Sequence, residues 1–176
     1  MIKKNWLAFT LAFVLPILVV FWWWGGFNSA TVAPGMGGTY HYVYIEHVGN
    51  FGKIPDIQQK VSDALHAQGI TPGNAITILY DDPRITQKRD QRARVGYLLP
   101  AGVSVKPPLQ IDDMPARPVL SARVQASMLL APSAAYQALH DYLQPSGQDI
   151  RMPSVELYVA GNSINKMGTL TVEIPR

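Results

Sequence analysis

A single carboxylate set beside a tyrosine on one strand is the feature of this sequence best suited to chemistry. In Ser154-Val155-Glu156-Leu157-Tyr158-Val159 the residue types alternate, so Val155, Leu157 and Val159 share one face and Ser154, Glu156 and Tyr158 the other. On an open sheet face Glu156 is an ordinary solvated acid; enclosed by aromatic walls it must meet a cation or hold its proton. The alternation allows both placements. An enclosed glutamate of raised pKa could protonate a substrate or position a water as a base, yet no second carboxylate stands near it in the sequence. His41, His47, His66 and His140 show no ligand spacing, and serine-triad, phosphate-loop and metal motifs are absent. With no cysteine there is no thiol nucleophile, disulfide framework or thiolate zinc site. No metal and no cofactor are therefore expected, and no catalytic residue is assigned unless the protein is a hydrolase, in which case it is Glu156.

The elements that position this strand follow from periodicity. His41 to Glu46 alternates as a strand with Tyr42 and Tyr44 on one face. Pro55 opens a helix of about four turns that carries Ile57, Val61, Ala64 and Leu65 and is capped by Gly69. Ala75 to Tyr80 and Arg92 to Leu99 follow as strands, and Pro107 to Pro115 is a connection. The second half repeats that order: Pro118 to Val124 as a strand, a helix from Pro132 with Tyr136, Leu139 and Leu143 stopped by Pro145, then the strands Ser154 to Val159 and Thr169 to Ile174. Ala64-Leu65-His66 echoes Ala138-Leu139-His140, and Leu79-Tyr80 echoes Leu157-Tyr158, which sets Ile78 in the place of Glu156. The fold class expected is α+β: a tandem strand-helix-strand-strand repeat forming an antiparallel sheet, with two helices on one face and one N-terminal transmembrane helix before it.

That last element comes from the uneven spread of apolar residues. No Asp, Glu, Lys or Arg occurs between Lys4 and Glu46, and Trp6 to Trp24 is apolar apart from Thr10 and Pro16. At about 1.5 Å per residue this run reaches roughly 28 Å, close to the hydrocarbon thickness of a bilayer. Trp22, Trp23 and Trp24 suit an interfacial belt, and Lys3 with Lys4 places the N-terminus on the cytoplasmic side. The division expected is a cytoplasmic N-terminus over 1–5, an anchor over 6–24, a Gly/Pro linker over 25–39 and a domain over 40–176. The chain is then a single-pass protein of a bacterial inner membrane with its domain in the periplasm. Setting aside Lys3 and Lys4, 13 basic residues face 12 acidic ones, which is not a nucleic-acid footprint. Arg84, Lys88, Arg89, Arg92 and Arg94 are interleaved with Asp81, Asp82 and Asp90, the pattern of a salt-bridged loop rather than a phosphate patch.

Four further stretches carry a resemblance. His47-Val48-Gly49-Asn50-Phe51, Tyr80-Asp81-Asp82-Pro83, Arg92-Ala93-Arg94-Val95-Gly96-Tyr97 and Pro153-Ser154-Val155-Glu156-Leu157-Tyr158, in this order, resemble the gyrase-inhibitor-like (GyrI-like) small-molecule-binding domains. Such domains occur alone and as effector-binding halves of multidrug-responsive transcription activators. The resemblance implies a pocket between the two halves with Glu156 inside it and Tyr158 close by, and Tyr42, Tyr44, Tyr80 and Tyr97 as candidate walls. An anchor followed by this domain is also similar in architecture to the testis-expressed receptors for autophagy of the endoplasmic reticulum, whose autophagy function is not carried over. Phe51 stands where the family commonly has tyrosine, Ala126 to Leu130 departs from a second His-x-Gly-x-Tyr motif, and no helix-turn-helix segment precedes the domain. The partners expected are a small-molecule ligand and a membrane through 6–24, without nucleic acid. Three functions follow: a module that senses or sequesters amphipathic or cationic molecules, a hydrolase of small electrophilic compounds that uses Glu156, or an interaction scaffold without a ligand.

Overall fold

A computed structural model describes residues 2–161 and 167–176. Met1, the first residue of the expected stretch 1–5, lies outside them. Among the described residues three α-helices, α1 (Ile2–Trp23), α2 (Ile54–Ala67) and α3 (Ala131–Leu143), accompany eight strands. The strands are β1 (Thr31–Gly37), β2 (Tyr40–Val48), β3 (Ala75–Leu79), β4 (Arg92–Leu98), β5 (Gln110–Met114), β6 (Arg117–Gln125), β7 (Ser154–Val159) and β8 (Thr169–Pro175). All pair antiparallel in one sheet of order β1-β6-β8-β7-β3-β4-β2-β5. The α+β class and the tandem repeat are present: β2-α2-β3-β4 and β6-α3-β7-β8 take mirrored places, and β3 meets β7 at the junction.

Local sequence accounts for the helices. Pro55 in the first turn of α2 gives up no needed donor, and Val61 and Leu65 bury the stripe against Val43, Leu99 and Leu109. A 3-10 turn, Phe51–Lys53, precedes it, with Asn50 Oδ1 accepting from Gly52 N at 2.9 Å. In α3, which Pro132 opens, Ala135, Leu139 and Leu143 pack on Leu120, Ala122, Leu170, Val172 and Ile174. Both helices cover the same face of the sheet.

The strand connections dictate curvature. β1 and β2 lie six places apart, about 29 Å in a flat sheet at roughly 4.8 Å per step, yet only Gly38 and Thr39 join them. Three Cα steps of about 3.8 Å reach at most about 11 Å, so the sheet must curl. Pro115 and Ala116, between β5 and β6, impose the same closure. The inner face is thus enclosed: Tyr42, Tyr44, Ile76, Ile78 and Val155 are buried there without a helix over them. Across the curl, Tyr40 donates to Glu173 Oε1 at 2.6 Å, and Arg117 donates to Glu173 Oε2 at 3.0 Å. Burial and the bond to Glu173 push the Tyr40 hydroxyl up to about 12.

Three expectations are corrected. The stretch expected as a linker supplies β1, an edge strand that pairs only with β6 and so tolerates Pro34. The expected connection supplies β5, whose Asp112 and Asp113 keep the opposite edge polar and hide it from an alternation search. The third concerns the membrane. The apolar run forms α1, but its first turn holds Lys3, Lys4 and Asn5, and Thr10 and Pro16 interrupt it. Past its end the chain turns at Gly25, with φ of 74°, and Trp24 O accepts from Ser127 N at 3.0 Å. Among the described residues no helix is long and apolar enough to cross a membrane. The transmembrane helix over 6–24, the membrane partner, the single-pass inner-membrane location and the periplasmic placement all depended on that span and are withdrawn.

Candidate functional site

Register carries Glu156 to the junction of the halves. Val95, Thr77, Glu156 and Val172 sit side by side across β4, β3, β7 and β8, all on the face that bears the helices. Glu156 is the one carboxylate in this row. Thr77, directly opposite it, shares its face, whereas Ile78, its counterpart by the sequence echo, points into the curl. Because α2 covers one half and α3 the other, a cleft of about 260 Å³ remains between them above the junction. Phe51, Ile54 and Gln58 form one wall, Met128, Ala131 and Pro132 the other, and Thr77, Glu156 and Tyr158 the floor.

The carboxylate is half-buried and has one protein donor. Tyr136, from α3, donates its hydroxyl to Glu156 Oε1 at 2.8 Å, and the Tyr136 hydroxyl oxygen also lies 2.7 Å from Ser154 Oγ. Among the described residues no cation pairs with Glu156. Burial raises its pKa above the usual carboxylate value, against the smaller opposing pull of the Tyr136 hydrogen bond. The Tyr136 hydroxyl is itself held well above 10 by burial and by the nearby Glu156 charge, so it stays a donor at any physiological pH. The arrangement can meet a cation, or hold and return a proton.

Of the six residues expected to contact a ligand, the structure brings Glu156 and Tyr158 together in this cleft. Tyr42, Tyr44 and Tyr80 lie on the other face of the sheet, where Arg94 stacks at 4.4 Å from the Tyr44 ring centroid and 5.7 Å from that of Tyr80. Tyr97 packs with the apolar cluster beneath α2. Gln58 and Thr77 line the cleft, and Tyr136, which lines the neighbouring depression, reaches the cleft carboxylate with its hydroxyl; sequence reasoning missed all three. Tyr136 had already been placed on the apolar stripe of its helix, but nothing local linked it to a residue twenty positions away.

A larger depression, about 400 Å³, lies beyond Tyr136 and is bordered by Asp82, Arg84 and His140. Its charges are already matched: Arg84 donates to both oxygens of Asp82, the shortest contact 2.6 Å, and also reaches Asp149 at 3.1 Å. The Arg84 hydrogen bonds hold the Asp82 carboxyl below its usual range. The basic loop is similarly paired, Arg92 with Asp81 at 3.0 Å and Arg94 with Asp112 at 2.6 Å. Of the two hollows, the smaller holds the carboxylate that pairs with no cation among the described residues.

Comparison with known families decides the identity of this architecture. The profile of the GyrI-like small molecule binding domain matches residues 39–174, most of the chain. The chain belongs to that family. Solved structures share its fold. The C-terminal domain of EcmrR is 12% identical with a TM-score of 0.62, over 83% of this chain and 96% of that one. SAV2435, solved bound to tetraphenylphosphonium, is 12% identical with a TM-score of 0.56, over 82% of this chain and 93% of that one. A hydrolase encoded by lin2189 from Listeria innocua is 9% identical with a TM-score of 0.51, over 84% of this chain and 92% of that one. No curated protein matches the chain. These findings establish a GyrI-like small-molecule-binding domain. They do not show a membrane-anchored form or the likeness to the receptors for autophagy of the endoplasmic reticulum.

Proposed function

We propose that this GyrI-like domain captures small amphipathic cations in the cleft between α2 and α3, with Glu156 as the counter-charge, and so acts as a sensor or a sequestering module. The observation that carries this reading is a carboxylate in a mostly apolar cleft, among Phe51, Met128 and Tyr158, that has a tyrosine donor and, among the described residues, no cation. A desolvated anion without a counter-ion is costly, and a ligand cation that fills the cleft relieves that cost while its apolar body covers the walls. Aromatic faces at Phe51 and Tyr158 add attraction for positive charge. SAV2435, with its bound phosphonium, is a relative of the same fold with a ligand of this class. The test is a thermal-shift panel of compact aromatic cations and neutral isosteres on the full chain and on Glu156→Gln. A cation at a hundredfold excess over its dissociation constant is expected to stabilise the parent by about 2.7 kcal/mol and the variant by less. Equal shifts in both proteins would contradict the reading.

One geometric feature favours a second reading. The Tyr136 hydroxyl on Glu156 Oε1, with a carboxyl of raised pKa, is a proton-donor pair of the kind that opening a small electrophilic ring requires. Turnover that Glu156→Gln abolishes, with binding retained, would mark the domain as a hydrolase. Binding without turnover leaves the capture module.

A further inference from the structure

A second acceptor in the cleft narrows the class of cation. Gln58, on α2, forms part of the wall that faces Glu156 and is only 7% exposed. Its Nε2 donates to Gly96 O at 2.6 Å. That bond fixes the amide, because the reversed orientation would set Oε1 against a carbonyl oxygen. Oε1 is then buried with no hydrogen-bond donor among the described residues. Buried acceptors without donors are rare, and each calls for a missing partner. On the floor, Glu156 Oε1 is met by Tyr136, and among the described residues no donor reaches Oε2. Acceptors from two elements, the buried Gln58 Oε1 in the α2 wall and Glu156 on β7, thus border the cleft, and among the described residues no N–H meets Gln58 Oε1 and no cation meets Glu156. Its volume of about 260 Å³ is small for a ligand pocket, where roughly 300–1,000 Å³ is usual.

Building on the proposed capture of cations, we propose that the cleft selects compact cations that carry N–H donors, namely protonated amines, amidinium or guanidinium groups, over fully substituted onium ions of the same shape. The ligand N–H supplies the donor that Gln58 Oε1 lacks while its charge meets Glu156. A quaternary cation satisfies the charge and leaves the amide unpaired.

The matched pair benzylammonium and benzyltrimethylammonium isolates this feature, since the two differ in N–H donors and not in charge or ring. Calorimetric titration of the full chain is expected to show benzylammonium binding roughly tenfold tighter or more, the worth of one charge-assisted hydrogen bond. In Gln58→Leu the ratio is expected to fall to about one, whereas Glu156→Gln weakens both ligands. The ratio in the parent protein needs no variant and stands even if Gln58→Leu fails to fold. Equal affinities in the parent, or a ratio that Gln58→Leu leaves intact, would overturn the N–H selectivity and leave cation capture standing. Binding of neither cation to the parent would overturn both.

Discussion

Glu156 makes the protein's response to pH calculable in sign. Burial favours its protonated form in the fold, so the folded pKa lies above the unfolded value near 4.5, and ionisation costs stability as pH rises through that range. Glu156→Gln, which never ionises, should match the parent in unfolding free energy at pH 4 and exceed it at pH 7. Urea titrations at the two values check this, and a parent that gains on the variant as pH rises would refute it. The capture of a cation has the opposite dependence, because only the ionised carboxylate can pair: affinity should fall as pH drops through the raised pKa. The alternation of β7 set Glu156 and Tyr158 on one face from sequence, and the family resemblance offered them to the pocket. Tyr136 and Gln58 were not, because their roles come from contacts to β7 and to Gly96 O across the fold, and a local pattern carries no trace of such contacts.

At the scale of elements, β4 is held where it is by a glycine. A Cβ at Gly96 would run into the carbonyl oxygen of Val43 on β2, and the Gly96 carbonyl is also the anchor of Gln58. Gly96→Ala is therefore expected to cost about 2–3 kcal/mol in urea unfolding and to loosen the α2 wall of the cleft. An unchanged midpoint would mean that β2 and β4 can part cheaply. Six of the eight strands and both domain helices were readable, since Val61 and Leu65 or Ala135 and Leu139 recur at helical spacing and the central strands alternate. β1 and β5 were not: TVAPGMG and QIDDM are edge strands, and their polar or Gly/Pro composition suits an edge and looks like a loop.

On the scale of the whole molecule, closure of the sheet lets one chain present a cleft on its outer face and a packed tyrosine layer within. The tie between Tyr40 and Glu173 spans that closure. Tyr40→Phe should lower stability by about 1–2 kcal/mol, because Glu173 is buried and keeps only Arg117. A loss within error would show that the two-residue links, and not this contact, set the curvature. The order of motifs pointed to the GyrI-like family, and with it to two halves that meet at Glu156. The resemblance offered the tyrosines of β2 as candidate walls; the register of β2 sets them on the sheet face opposite Glu156. The expected membrane span rested on the length of the apolar run and on its flanking lysines and tryptophans; among the described residues no helix is long and apolar enough to cross a membrane.

In the proposed capture Glu156 is the charge that a ligand meets. Calorimetric titration of the full chain and of Glu156→Gln with benzylammonium at pH 7.5 tests this most directly. The predicted result is saturable one-to-one binding that weakens at least tenfold in the variant, about 1.4 kcal/mol or more. Equal affinity in the two proteins would contradict it, since the cation would then be held elsewhere or by the apolar walls alone.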